Sequence, residues 1–181
     1  MTRLRVPVQL RWSDMDAYGH INNVEMFRVL EEARIAAFWA HPDPPIGGGW
    51  PTAVIDAGPG SRTATLVARQ EIEYLRPLGY RRAPVIVELW IGRLGGASID
   101  VCYEVQDGDP AGTGAVAAEV VSGDAPAAPA AYARACTTLV LVDPATGSPR
   151  RITVPERATW SPYLEPMVEL RRRGSREAAA R

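Results

Sequence analysis

The sequence predicts an α+β fold in which an antiparallel β-sheet packs on one long α-helix. Three observations carry that expectation: a single stretch with helical apolar spacing, Asn23 to Ala40; four or five strand-like stretches after it; and turn chemistry compact enough for hairpins between them. A sheet face needs an apolar partner, and the one long helix is the cover expected. With 181 residues, 46 % of them apolar, the chain suits one core-bearing domain. We place that domain at 1–155, with 107–131 as a flexible insertion and 156–181 as a C-terminal amphipathic helix and charged tail.

Arg5 to Trp12 alternates, with Val6, Val8, Leu10 and Trp12 on one side and Arg5, Gln9 and Arg11 on the other, so a half-buried first strand is expected there. Polar residues and glycine increase from Ser13 to Asn22. The helix then carries Met26, Leu30, Ala33 and Ala37 at helical spacing, flanked by Phe27 and Phe38. Asn22, three residues before Glu25, has the spacing of a capping box. His41-Pro42-Asp43-Pro44-Pro45 and the run Gly47 to Gly49 end the helix, because proline lacks the donor and glycine weakens propagation. Strands are expected over Thr52 to Ile55, Thr63 to Tyr74, Pro84 to Arg93 and Ser98 to Gln106, the last two joined by Gly95-Gly96. Gly, Ala, Pro and Asp dominate from Asp107 to Ala131, although Ala115 to Val121 has the composition of a further short strand. Tyr132 to Val142 is the last clear strand, closed by a turn over Asp143 to Gly147. Pro155 to Arg172 reads as an amphipathic helix through Leu164, Val168 and Arg172.

Composition narrows the function classes. A formal net charge of −1 and a pI near 6.1 supply no general attraction to nucleic acid or to an anionic membrane. No apolar run long enough to span a bilayer and no leader-like start is present, so a cytoplasmic protein with no nucleic-acid and no membrane partner is expected. His20 and His41 are the only histidines, Cys102 and Cys136 the only cysteines, and no metal-ligand spacing connects them. No metal and no cofactor is expected, and both cysteines are expected as reduced core residues.

The informative stretch is Arg11-Trp12-Ser13-Asp14-Met15-Asp16-Ala17-Tyr18-Gly19-His20-Ile21-Asn22-Asn23, followed on the helix by Glu31-Glu32-Ala33-Arg34. It resembles the signature of the 4-hydroxybenzoyl-CoA thioesterase-like branch of the hotdog family, and within it the bacterial acyl-CoA thioesterases. Ile72 to Leu78 and the strand Thr138 to Asp143, ending in Asp-Pro, look family-like as well. The resemblance covers residues 5 to 107 and 132 to 155. It implies a hotdog fold, a sheet wrapped around a central helix. It also implies acyl-CoA hydrolysis, Asp16 as the reacting carboxylate, and a homodimer or homotetramer with active sites between subunits.

The residues themselves are compatible with that chemistry. The leaving group of a thioester is a thiolate whose conjugate acid has a pKa of about 8.5, so its departure needs little help from a general acid. One carboxylate and an oxyanion site suffice. Asp16, in the loop before the helix, has the position to attack the carbonyl or to activate a water, and the sequence leaves both routes open. The N–H groups of the helix start, at Asn23 and its neighbours, form a natural oxyanion site. Asp14 reads as structural, hydrogen-bonded to loop N–H groups. Gly19 reads either as a turn glycine or as a point of close substrate approach. His20 is a candidate for orienting the thioester or the loop, Asn22 a candidate cap near the substrate, and Arg34 a structural ion-pair partner. Arg93, near the Gly95-Gly96 turn, is the candidate contact for the CoA phosphates. Two rivals stand beside hydrolysis: a hydratase acting on enoyl-CoA, whose D-x-N-P-x-H pattern Asp16 to His20 lacks, and a non-catalytic acyl-CoA-binding module. An acyl-carrier-protein thioesterase is a neighbour within the same class.

Overall fold

The computed structural model describes residues 2–41, 49–56, 60–108, 119–122 and 131–171. Its strands are β1 (Thr2–Val8), β2 (Trp39–Ala40), β3 (Ile55–Asp56), β4 (Ala64–Tyr74), β5 (Val85–Leu94), β6 (Ser98–Asp107), β7 (Glu119–Ser122) and β8 (Ala133–Val142). Its helices are α1 (Asn23–Phe38) and α2 (Val154–Trp160). Six strands form one antiparallel sheet in the order β4-β8-β6-β5-β1-β7, while β2 and β3 form a short parallel pair of their own.

Alternation fixes which face is the core. Leu4, Val6 and Val8 of β1, Val85, Val87, Leu89 and Ile91 of β5, and Ile99, Val101, Tyr103 and Val105 of β6 are all buried on one side. A one-residue slip would turn each of them to the other face, so the register is strongly specified. Onto this face α1 lays Met26, Val29, Leu30, Ala33, Ala37 and Phe38, spaced three and four apart, against β1 and β5.

Four expectations shift. The first strand ends at Val8 rather than Trp12, because the Asp14 carboxylate accepts the Arg11 N–H and bends Trp12–Asp14 into a 3-10 turn; Trp12 is 73 % exposed, not inward. The helix expected over Asn23 to Ala40 is 16 residues and ends at Phe38, since Trp39 and Ala40 turn extended and pair with Ile55 and Asp56. The Thr52–Ile55 strand shrinks to that two-residue pair, and the Thr52 hydroxyl donates to the Ala37 carbonyl at the helix end. Finally, the C-terminal helix spans only Val154–Trp160, started by a Thr153–Glu156 capping box. Pro162 and Pro166 cannot continue it, and the chain runs extended from Leu164 over the sheet face opposite α1. There Glu165 N–H donates to the Ile91 carbonyl at 3.0 Å and Trp90 Nε1 donates to the Pro166 carbonyl at 2.8 Å.

Within the stretch expected as an insertion, β7 lies close to the weighed strand Ala115 to Val121 and pairs with β1. Residues 109–118 and 123–130 of that stretch, like the charged tail from residue 172, lie outside the described residues.

Candidate active site

Two nested turns connect β1 to α1, and Asp14 holds the outer one. It is 2 % exposed, accepts the Arg11 N–H at 2.7 Å, and pairs with the Arg28 guanidinium of α1. Its main-chain carbonyl accepts the Asn22 N–H at 2.8 Å. Asp14 therefore ties both ends of the 11–22 segment to the helix, as its structural reading required. Arg28, the partner that makes this possible, was not singled out from the sequence.

The inner turn holds Asp16. Met15 and Ile21 bridge, and residues 16–20 close through Asp16 N–H to the His20 carbonyl at 2.8 Å and Gly19 N–H to the Asp16 carbonyl at 3.1 Å. Gly19 sits at φ +78°, where a side chain costs about 1–2 kcal/mol, so it is a turn glycine by conformation. Asp16 Oδ1 accepts the Tyr18 N–H at 2.8 Å and the His20 N–H at 3.2 Å. Its second oxygen, Oδ2, accepts no hydrogen bond among the described residues. The side chain is thus held by one oxygen and leaves the other available. His20 serves this loop through its main chain, while its exposed imidazole bonds to none of the described residues.

The loop is held from outside by the connection between β4 and β5. Ile21 N–H donates to the Leu78 carbonyl at 2.7 Å, and His20 bridges to Gly79. That connection is itself clamped by Asp107 at the end of β6, which accepts from Arg76 at 2.9 Å, from Arg81, and from the Tyr132 hydroxyl at 2.7 Å. Arg76 also lies over the Tyr132 ring, 3.5 Å from its centroid. Burial pushes the Asp107 carboxyl up, but hydrogen bonds from Tyr132, Arg76 and Arg81 outweigh it and hold the group at about 2. A depressed carboxyl stabilises the fold above its unfolded pKa of about 3.9 and loses that contribution as pH falls toward 2. We expect unfolding free energy to drop by about 1 kcal/mol between pH 5 and 2.5 through this group, discounted for its exposure, and Asp107→Asn to flatten that slope in urea titrations.

At the helix start, Asn22 Oδ1 accepts the Val24 N–H at 2.9 Å, so Asn22 is the cap. The reciprocal half of the capping box is absent, because Glu25 binds Arg28 at 3.1 Å instead. With Val24 occupied, the first-turn N–H groups left without an acceptor among the described residues are those of Asn23 and Glu25. The Tyr74 hydroxyl, on β4, donates to the Asn23 carbonyl at 2.9 Å, and burial pushes its phenol pKa up, which keeps it a donor. Sequence reasoning included Tyr74 in the stretch Ile72 to Leu78 without giving it a role. Arg34 is buried and pairs with Glu31 at 3.0 Å, as expected.

Arg93 is not brought to this place. It lies eight residues beyond the start of β5, about 25 Å along the strand from the connection that holds the loop, and its guanidinium binds Asp100 at 2.7 Å. A surface hollow of about 290 Å³ lies between β1 and α1 and another of about 280 Å³ on the opposite sheet face beside Trp90; neither is lined by Asp16, His20 or Asn23. In a single chain the Asp16 loop is an open surface, with Tyr18 85 % and Val24 67 % exposed. Among the described residues no group of three His, Cys, Asp or Glu side chains is placed to hold a metal ion, and no helix is long and apolar enough to cross a membrane.

Comparison with known proteins places this arrangement. The family model of the thioesterase-like superfamily matches residues 10–162, a span that contains the Asp16 loop, α1 and every strand but β1. The chain belongs to the thioesterase-like superfamily. Its antiparallel sheet with a helix packed on one face is the hotdog fold of that superfamily. Among relatives of this thioesterase-like protein, the uncharacterised Bacillus subtilis protein YsmA is 31 % identical over 118 residues, 64 % of this chain and 70 % of YsmA. Of solved structures, the PA2801 protein of Pseudomonas aeruginosa, proposed to be a thioesterase, is 28 % identical with a TM-score of 0.56, covering 86 % of this chain and 95 % of its own. A Xanthomonas campestris protein proposed to be an acyl-CoA thioesterase is 28 % identical with a TM-score of 0.51, covering 77 % and 92 %. A Thermus thermophilus thioesterase complexed with coenzyme A and zinc shares the fold at 23 % identity and a TM-score of 0.55, over 88 % and 92 %.

Proposed function

We propose that this protein is a cytoplasmic, homodimeric or homotetrameric acyl-CoA thioesterase that cleaves its substrate to free acid and CoA at the Asp16 loop, without a cofactor. The observation that carries the reading is the Asp16 carboxylate, anchored through Oδ1 and open at Oδ2, in the loop that leads into the N-terminus of α1. Preorganisation of this kind holds a reacting group in position without an induced fit. Oδ2 attacks the thioester carbonyl directly or removes a proton from the attacking water. The Asn23 and Glu25 N–H groups receive the oxyanion at the positive end of the helix, and the thiolate of CoA leaves unprotonated. The Tyr74 hydroxyl fixes the Asn23–Val24 peptide, which lies between the two donors, and the exposed His20 imidazole and Gly19 border the reacting group.

Dimerisation is part of the proposal, because one chain leaves the site unwalled. Strand β4 is an 11-residue sheet edge, and on the face it shares with the core Val67 and Tyr74 are each 45 % exposed, with α1 reaching only the Tyr74 hydroxyl through the Asn23 carbonyl. A long unpaired edge invites pairing with a second copy, which would extend the sheet around the helices and enclose both Asp16 loops. The pantetheine arm separates the thioester of CoA from its phosphates, which is why a phosphate contact at Arg93 is retained despite its distance along β5.

The test is a panel of acyl-CoA thioesters, short to long and aromatic, assayed for free thiol. Thiol release with at least one member supports the reading. Loss of enoyl absorbance without thiol would assign hydration instead, and binding without either product would make the chain a sensor.

A further inference from the structure

The sheet face opposite α1 brings the only two cysteines together. Cys102 on β6 and Cys136 on β8 are direct register partners, and by alternation both point to that outer face, where Trp90, Glu104 and Arg134 also lie. The class of this cross-strand pair follows from the ladder. Leu141 N–H donates to the Ala97 carbonyl at 2.9 Å, which makes Ala97 and Leu141 a hydrogen-bonded pair. Hydrogen-bonded and non-bonded pairs alternate along antiparallel strands, and Cys102 and Cys136 lie an odd five residues further along each strand. They are therefore a non-bonded pair, the closer class, with Cα atoms about 4.5 Å apart. That spacing falls inside the roughly 4.4–6.8 Å that a disulfide spans.

The surroundings distinguish the two thiols. Cys102 is fully buried, and the extended C-terminal segment lies over it, with the Val168 N–H donating to its Sγ at 3.4 Å. Room for that sulfur comes from Gly92, where a Cβ would stand 2.8 Å from Cys102 Sγ and would also meet the Met167 sulfur. Cys136 is half-buried, beside Glu71 of the neighbouring β4. A hydrogen bond from Cys136, helped by the one from Val168 and opposed by burial, pulls the Cys102 thiol below its ordinary pKa, whereas the Cys136 thiol is pushed up. One proton of the pair is thus released more readily than from an isolated buried thiol, and the resulting thiolate sits on Cys102.

We propose that Cys102 and Cys136 form a reversible intramolecular disulfide, a redox modification site on the face opposite the Asp16 loop. The oxidant is a small-molecule disulfide. The Cys102 thiolate takes the Cys136 proton as the half-buried Cys136 sulfur attacks one sulfur of the reagent, which releases one thiolate and leaves a mixed disulfide on Cys136. Cys102 then gives up that proton and its sulfur attacks the Cys136 sulfur, forming the protein disulfide and releasing the second thiolate. Two protein thiols are oxidised, one reagent disulfide is reduced to two thiols, and the two thiol protons go with them. The short Cα separation strains the closed bond, so it is expected to reopen readily with a dithiol reductant. Closing it also turns Cys102 Sγ toward β8 and away from the Val168 N–H, loosening the C-terminal segment where it crosses β6.

The experiment treats the native full-length protein with oxidised glutathione, quenches with acid, and measures mass and free thiols after unfolding. The proposal expects a monomeric chain lighter by two hydrogen atoms with neither thiol titratable, restored by dithiothreitol, and faster deuterium exchange at the Val168 amide in the oxidised form. Two thiols still free, a stable glutathione adduct, or chains cross-linked to one another would each overturn it. The Cys136→Ser protein tests the order of attack: Cys102 is expected to stay unmodified under its cover, and a glutathione adduct on Cys102 would overturn that order. None of these readouts depends on thioesterase activity.

Discussion

Asp16→Asn is expected to fold like the parent chain and to lose acyl-CoA hydrolysis by about 10³-fold, within the range assigned to a positioned acid or base. The amide keeps an oxygen for the Tyr18 and His20 N–H groups that now bind Oδ1, so the 16–20 loop retains its shape. What changes is the second atom. An amide NH₂ in place of Oδ2 neither attacks a carbonyl nor accepts a proton from water. The residual rate comes from main-chain donors at the helix start, which the substitution leaves intact. Thiol release measured beside a urea unfolding curve checks both halves; a variant with the parent rate would remove Asp16 from the chemistry.

The neighbouring aspartate is expected to behave in the opposite way. Asp14→Ala should destabilise the fold by about 3 kcal/mol, because it strips the acceptor from the Arg11 N–H and leaves the largely buried Arg28 guanidinium without its deepest partner. The magnitude is set at the lower end for a broken buried pair, since Arg28 also reaches Glu25 and Glu32. Asp14→Asn keeps one acceptor oxygen and is expected to lose less. The urea midpoints of the two variants order these costs, and an unshifted midpoint for Asp14→Ala would show that the turn does not depend on this carboxylate.

Of the two aspartates, the structural part of Asp14 was legible in the sequence and matches its pairing with Arg28, while the reacting part of Asp16 rests on the proposal above. The motif marked Asp16 for chemistry and Asp14 for structure, and helical spacing, strand alternation and the Gly95-Gly96 hairpin gave the fold class and the order of its main elements. Strand ends were less legible, because Asp14 captures a main-chain N–H that strand alternation alone would leave in a ladder. The C-terminal helix was overread: Leu164 and Val168 have helical spacing, but the prolines at 162 and 166 and the hydrogen bonds to Trp90 and Ile91 favour an extended path. Tertiary partners were illegible for a different reason. Nothing local connects Asp107 with Arg76, or Tyr74 with Asn23, 51 residues apart, and only the sheet register brings each pair together.

In the proposed reaction the free oxygen of Asp16 faces a thioester carbonyl whose oxygen is received by the first-turn N–H groups of α1. The most direct measurement is a crystal structure with a non-hydrolysable acyl-CoA analogue whose thioester is replaced by a ketone. The account predicts the carbonyl carbon about 3–3.5 Å from Asp16 Oδ2, with its oxygen in hydrogen-bond reach of the Asn23 or Glu25 N–H and a second protomer closing the site. An analogue seated in either surface hollow away from Asp16, or an Asp16 carboxylate turned from the carbonyl in both protomers, would contradict it.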